Sequence, residues 1–187
     1  MALGTLVWVL IGLIALIIVI FIVYYNRFTI LNNRIDNSLA QIDVQLRKRA
    51  DLIPNLISTV KGYAQHEREL FEKVTQARAN AIGAQGMKER ASAENALSDT
   101  LKSLFAVSEN YPDLKASVNF LELQKELADT EDKIQAARRF YNTNVMELNT
   151  KIESFPTNIF ASAFSFKQME LFEIAEASQR EAVKVKF

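Results

Sequence analysis

Residues 6–25, LVWVLIGLIALIIVIFIVYY, contain no charged side chain. A helix rises about 1.5 Å per residue, so roughly 20 such residues cross a hydrocarbon core of about 30 Å. The segment is therefore read as a single membrane-spanning helix in contact with lipid, with residues 1–26 as the anchor. Trp8 near one end and Tyr24 and Tyr25 at the other occupy the interfacial level that amphipathic rings favour. A cleaved signal peptide is the rival reading, but the run is too long for one, no basic segment precedes it and no Ala-x-Ala-like site follows. Arg27 and Arg34 follow the run closely and Arg47, Lys48 and Arg49 lie further on, whereas no Lys or Arg precedes it. This asymmetry predicts a short N-terminus outside and the rest of the chain in the cytoplasm.

Composition restricts the chain beyond the anchor. The 187 residues include 22 Lys+Arg, 22 Asp+Glu, five glycines, three prolines and no cysteine, which suits a helix-rich domain with little turn material. Zero formal net charge gives no electrostatic footprint for nucleic acid, and none is expected as a partner. Without cysteine there is no thiolate nucleophile, thiolate metal site or disulfide framework.

Ile35, Leu39, Ile42, Leu46, Arg49, Ile53, Leu56, Val60, Tyr63, Glu67, Leu70, Val74, Ala77 and Ala81 step by alternating four and three residues, and Ala50, Ile57, Ala64 and Phe71 run beside them. Such a widened stripe predicts one helix over about 27–82 packed on more than one neighbour, kinked by Pro54 near Ala50 and Asp51. Gly83 and Gly86 predict a turn, and a second helix over about 87–110 carries Leu97, Leu101, Leu104 and Ser108.

At Tyr111-Pro112-Asp113 the pattern breaks and resumes. Proline disfavours helix in the residue before it and suits the first turn of a helix after it, so Pro112 is expected to preset a third helix over about 112–154, with Asp113 on its positive end and Tyr111 covering the corner. Its stripe is Phe120, Leu123, Leu127, Thr130, Ile134, Ala137 and Tyr141, continued after one extra residue by Val145, Leu148 and Ile152. Pro156 ends it. Phe155, Phe160, Phe164 and Phe166 then crowd a short segment, read as a fourth helix over about 157–163 packing on the bundle, with docking onto lipid or another subunit as the alternative. Residues 173–187 are expected to be a surface helix or a mobile tail.

Few side chains here carry chemistry. His66 is the sole histidine, which excludes the two-histidine metal sites of helical bundles, and no phosphate-binding loop or nucleophile signature is present. No catalytic residue, metal ligand or cofactor is assigned. Arg138, Arg139, Tyr141, Asn142 and Asn149 are the polar residues that an apolar stripe would not require. They are read as a buried network fixing helix register, with Arg138 or Arg139 paired to a carboxylate such as Asp51, or else as a surface for a partner.

The segments KRADLIPNLISTVKGYAQHE (48–67), AENALSDTLKSLFAVSENYPDLKASVNFLELQKELADTEDKIQAARRFYN (93–142) and NTKIESFPTNIFASAFSF (149–166) resemble the LemA family of bacterial membrane-anchored proteins. The resemblance implies an N-terminal membrane helix with a short outer N-terminus and a soluble helical bundle. It implies no active site. Some members are tied to envelope physiology or to internal membrane organelles.

The sequence thus predicts an all-α protein: a transmembrane helix followed by an elongated antiparallel bundle of three long helices and a short fourth, over residues 27–172. A bundle without a catalytic constellation works through its surface. The expected function is a non-enzymatic scaffold that forms homo-oligomers, because membrane anchoring raises its local concentration. The alternatives are a regulatory partner of a membrane enzyme such as a protease and, more remotely, a hydrolase with an unrecognised site.

Overall fold

A computed structural model describes residues 2–172, and among these every regular element is helical: α1 (Ala2–Lys61), α2 (Arg68–Gly83), α3 (Met87–Ser108), α4 (Pro112–Lys115), α5 (Val118–Glu153) and α6 (Thr157–Ala163). The tail expected at 173–187 lies outside the described residues. The described residues form two compact units, one from residues 2–39 with 140–170, the other from residues 40–139 with Leu171 and Phe172.

The second unit is a helical bundle built from the C-terminal third of α1, α2, α3, α4 and the N-terminal part of α5. Its core contains Ile53, Leu56 and Val60 of α1, Phe71 and Val74 of α2, Leu97 and Leu104 of α3, Leu114 of α4, and Phe120 and Leu127 of α5. Ile53, Leu56, Leu104 and Leu114 are wholly buried, each worth roughly 1.5–3 kcal/mol against exposure.

The expected single helix over 27–82 is in fact two. α1 ends at Lys61, residues 62–67 form a corner, and α2 returns along α1. Ala64, buried at that corner, donates its N–H to the Val60 carbonyl at 2.9 Å and accepts from Glu67 N–H at 3.2 Å. The apolar period continues through the corner because Ala64 and Phe71 stay inside, so the hydrophobic pattern by itself conceals the turn. Tyr63, placed in the stripe on periodicity, is instead exposed.

The kink expected at Pro54 does not end α1, which passes through it as helix. Proline removes the donor that would serve Ala50, four residues earlier. Arg78 of α2 supplies one instead, its Nε–H reaching the Ala50 carbonyl at 2.7 Å.

Between α2 and α3, Gly86 has φ +83°, a backbone conformation that L side chains rarely adopt. The third long helix does not start at Pro112. Pro112 opens the single turn α4, and α5 begins at Val118 after Lys115 N–H bonds Tyr111 O at 3.1 Å and Ala116 N–H bonds Pro112 O at 3.0 Å. What pins this corner is Leu114, buried in the core.

In the first unit, Phe28, Leu31 and Ile35 of α1 are buried, as are Tyr141, Val145 and Leu148 of α5 and Phe160 and Ala161 of α6. Thr157 closes the end of α5, its single hydroxyl proton shared between the carbonyls of Lys151 at 2.5 Å and Ser154 at 2.8 Å. α6 closes with Ser165 in the left-handed region (φ 58°), Phe166 N–H on the Ala161 carbonyl at 3.0 Å and Ser165 N–H on that of Ser162 at 3.2 Å, the paired bonds of a Schellman cap. The most apolar 18-residue stretch of α1 has a mean hydropathy of 3.5, and no part of it is buried.

Candidate functional site

Arg49 is a charged residue at a core position of α1, with its side chain 1% exposed. An isolated guanidinium could not stay there, since desolvation costs several kcal/mol. Two carboxylates from different helices meet it. Its Nη2 pairs with Glu94 of α3, also buried, and its Nη1 with Glu131 of α5. Nη1 also donates to Ser98 Oγ at 2.8 Å, and Gln135 Nε2 donates to the other Glu131 oxygen at 2.9 Å. The planar fork of arginine can hold two acceptors from two helices, which a single ammonium cannot do with the same geometry.

A second buried guanidinium, Arg138 of α5, donates to Asn95 Oδ1 at 3.2 Å and lies 4.5 Å from the centre of the Phe172 ring. The ring face offers the cation a favourable quadrupole where water is excluded. Burial lowers the Arg138 pKa, reinforced by the like charge of Arg49 and opposed by Glu131 and Glu94. For Glu131, burial acts upward, but the charge of Arg49, the Gln135 hydrogen bond and the charge of Arg138 together hold the carboxyl below its usual value. A carboxylate held so is a weak proton acceptor. Beside it a cavity of about 290 Å³ is lined by Arg49, Ser98, Leu101, Phe105, Leu127 and Glu131. Ser98 Oγ lies 3.1 Å from the Glu94 carbonyl and is engaged by Arg49. Among the described residues no group of three or more His, Cys, Asp or Glu is placed to hold a metal ion.

The structure separates the residues singled out in the sequence. Of the residues expected to pair, Asp51 and Arg139 are exposed, while Arg138 lies by Asn95 and Phe172. Pro54 is exposed on α1. Tyr111 is half-buried against the core and its hydroxyl donates to Glu67 Oε1 at 3.1 Å, tying the two corners together, while Pro112 and Asp113 are exposed. Tyr141 is buried and donates to the Glu170 carbonyl at 2.9 Å. Asn142 is half-buried. Asn149 donates to the Met169 carbonyl at 2.9 Å and accepts its N–H at 3.0 Å, so Tyr141 and Asn149 hold the segment after α6 along α5. Phe155 and Pro156 are exposed, and Phe160 is buried.

Sequence reasoning does not single out Glu94, Glu131 or Ser98 as partners of Arg49, and it reads Glu131 as part of a solvated face of its helix. The available signal is one of position: Arg49 lies in the α1 stripe, and Glu94 stands three residues before Leu97 in the Leu97-Leu101-Leu104 series, so each puts a charge where its helix faces the core. On α5 the extra residue in the stripe falls about two turns earlier than expected, because Arg138 rather than Ala137 takes the buried position.

The sequence model of the LemA family matches residues 38–187. Protein LemA of Metamycoplasma hominis is 28% identical over 145 residues, covering 77% of this chain and 66% of that protein. Magnetosome protein MamQ 2 of Paramagnetospirillum magneticum is 23% identical over 175 residues, covering 80% of this chain and 64% of the relative. Magnetosome protein MamQ of Magnetospirillum gryphiswaldense is 22% identical over 174 residues, with 79% and 64% covered. The chain therefore spans just under two thirds of the length of these relatives.

Proposed function

The chain belongs to the LemA family, and we propose that it is a non-enzymatic, single-pass membrane protein whose bundle faces the cytoplasm and serves as a scaffold, assembling first with copies of itself. The observation that carries this reading is the uncovered apolar run of α1. Leu10, Ile14 and Ile17 are each about half exposed or more, while Phe28, Leu31 and Ile35 further along the same helix are buried by neighbouring helices. A helix that the fold covers at one end and leaves bare over a bilayer's thickness is one that lipid covers.

The buried charge cluster supports the non-enzymatic part. Arg49 is committed to two internal carboxylates, and Glu131 is held in its ionised form, so these three charges are spent on one another. Such a cluster selects one register of α1, α3 and α5, because sliding any helix leaves a buried charge unpaired. Arg138, Tyr141 and Asn149 extend the same logic along α5. Relatives named as magnetosome proteins are in keeping with work as part of an assembly.

Self-association follows from confinement to a membrane, where modest contacts suffice. Exposed apolar side chains such as Val44 and Val118 are available for them. The test is the mass of the protein purified in mild detergent, read by light scattering with the detergent contribution subtracted. A defined multimer of this chain alone is expected. A single copy bound to a stoichiometric amount of a different protein would replace the scaffold with a regulatory partner.

A further inference from the structure

α6 packs on the membrane end of α1, and its contacts fix its depth. The Phe160 ring stacks on Tyr24 with centroids 4.3 Å apart and meets Phe21 edge-on at 4.9 Å. Phe164 lies 5.9 Å from Phe21 and 4.9 Å from Tyr25, and Phe166 stacks on Phe28 at 4.8 Å. Phe21 is four residues inside the Tyr25 end of the apolar run, about 6 Å along the helix. At that same level Ile22 and Val23 are exposed. Wherever lipid covers Ile22 and Val23, therefore, Phe160 and the helix that carries it stand at the same depth on another side of α1.

α6 does not bury all its apolar side chains in doing so. Phe155, just before it, is 81% exposed, and Ile159 is 53% exposed. A phenylalanine left this bare is costly in water, and covering such side chains with apolar material is favourable. Arg27 and Lys167, both exposed, flank Phe28 and Phe166, which puts cations at the headgroup side of the aromatic cluster. Apolar side chains on a short helix at interfacial depth, with cations on the outer side, make an interfacial foot.

We propose that Phe155 and Ile159 insert into the bilayer leaflet on the bundle side, so that α6 forms a second lipid contact beside the spanning helix. The occupant of this apolar surface is lipid. The proposal rests on the reading of α1 as a spanning helix. The two contacts restrict how the first unit can tilt in the membrane, since α6 must stay at the interface while α1 crosses it.

The absence of native cysteine allows a direct test. Four single-cysteine variants of the full chain, Phe155→Cys, Ile159→Cys, Ile14→Cys and Ile82→Cys, are labelled with an environment-sensitive fluorophore and reconstituted in phosphatidylcholine vesicles containing phosphatidylglycerol. Quenching is compared for lipids bearing a spin label near the headgroup or deep in the chain and for aqueous iodide, with helicity of each variant checked by circular dichroism. The expected result is that positions 155 and 159 are quenched by the shallow lipid label and at least threefold less by iodide than position 82, while position 14 is quenched by the deep label. Iodide quenching at 155 and 159 equal to that at 82, with position 14 still lipid-quenched, overturns the proposal and leaves the anchor intact. Position 14 open to iodide overturns the anchor and this proposal together.

Discussion

Arg78 Nε–H donates at 2.7 Å to the carbonyl of Ala50, the acceptor that Pro54 leaves without a helical donor. The bond joins two elements across the corner at 62–67 and explains why a helix can continue through a proline. Arg78→Ala should destabilise the bundle by about 1–2 kcal/mol, as expected for loss of a charged donor to a partly buried carbonyl. In a Pro54→Ala background the same change should cost clearly less, because the restored N–H serves Ala50. Thermal melts in detergent of the four chains of this double-mutant cycle measure the coupling, and additive effects would show that the two residues are independent.

Arg49 holds Glu94 and Glu131 together. Arg49→Ala leaves a buried carboxylate without its counter-charge and should cost about 3–5 kcal/mol. Arg49→Lys should recover only part of this, since one ammonium lacks the fork. Denaturant titration in micelles ranks the three chains, and a lysine variant as stable as the native chain would reduce the cluster to simple charge balance.

The shifts give the bundle a pH signature at both ends. Against the upward push of burial, the Glu131 carboxyl is held below its usual value in the folded chain, chiefly by the charge of Arg49, so its contribution to stability is present above the unfolded value and is lost as pH falls through the folded one. Tyr111 is shifted upward, by its hydrogen bond to Glu67 with smaller contributions from burial and the Glu67 charge, so its contribution holds below the unfolded value and is lost as pH rises through the folded one. Glu131→Gln should flatten the acid limb of the melting temperature against pH, and Tyr111→Phe the alkaline limb. Each variant should leave the opposite limb unchanged.

Ser165 sits at φ 58° in the cap that returns the chain from α6 to α1. Ser165→Gly removes the left-handed penalty and should be neutral or stabilise by up to about 1 kcal/mol, whereas Ser165→Val should destabilise by more than that. Melting of the two variants by circular dichroism checks the sign.

The fold was legible where periodicity and punctuation agree. The apolar run, the Gly83–Gly86 turn and the corner before α5 carry both signals, and the all-α class follows from them. Sequence and structure diverge at the two points where tertiary contacts decide. Pro54 is the stronger local breaker, yet Arg78 compensates for it; the 62–67 corner has weaker punctuation, and Ala64 keeps the period running through it. The charge cluster was half legible. Arg49 stands out in an apolar stripe, but its partners are 45 and 82 residues away, and nothing local distinguishes Glu94 from Asp51 as the carboxylate it meets. Arg138 and Arg139 are adjacent in sequence, and only the phase of α5 decides which one is buried.

Both the proposed scaffold and the proposed lipid contact of α6 rest on α1 crossing a bilayer, and the scaffold reading adds that the bundle lies on the cytoplasmic side. Cysteine introduced singly at Ala2 and at Ser92, which is exposed on α3, reports both crossing and direction when intact cells are treated with a membrane-impermeant thiol reagent. Position 2 should label in intact cells, and position 92 only after lysis. Labelling at position 92 without lysis would contradict this topology.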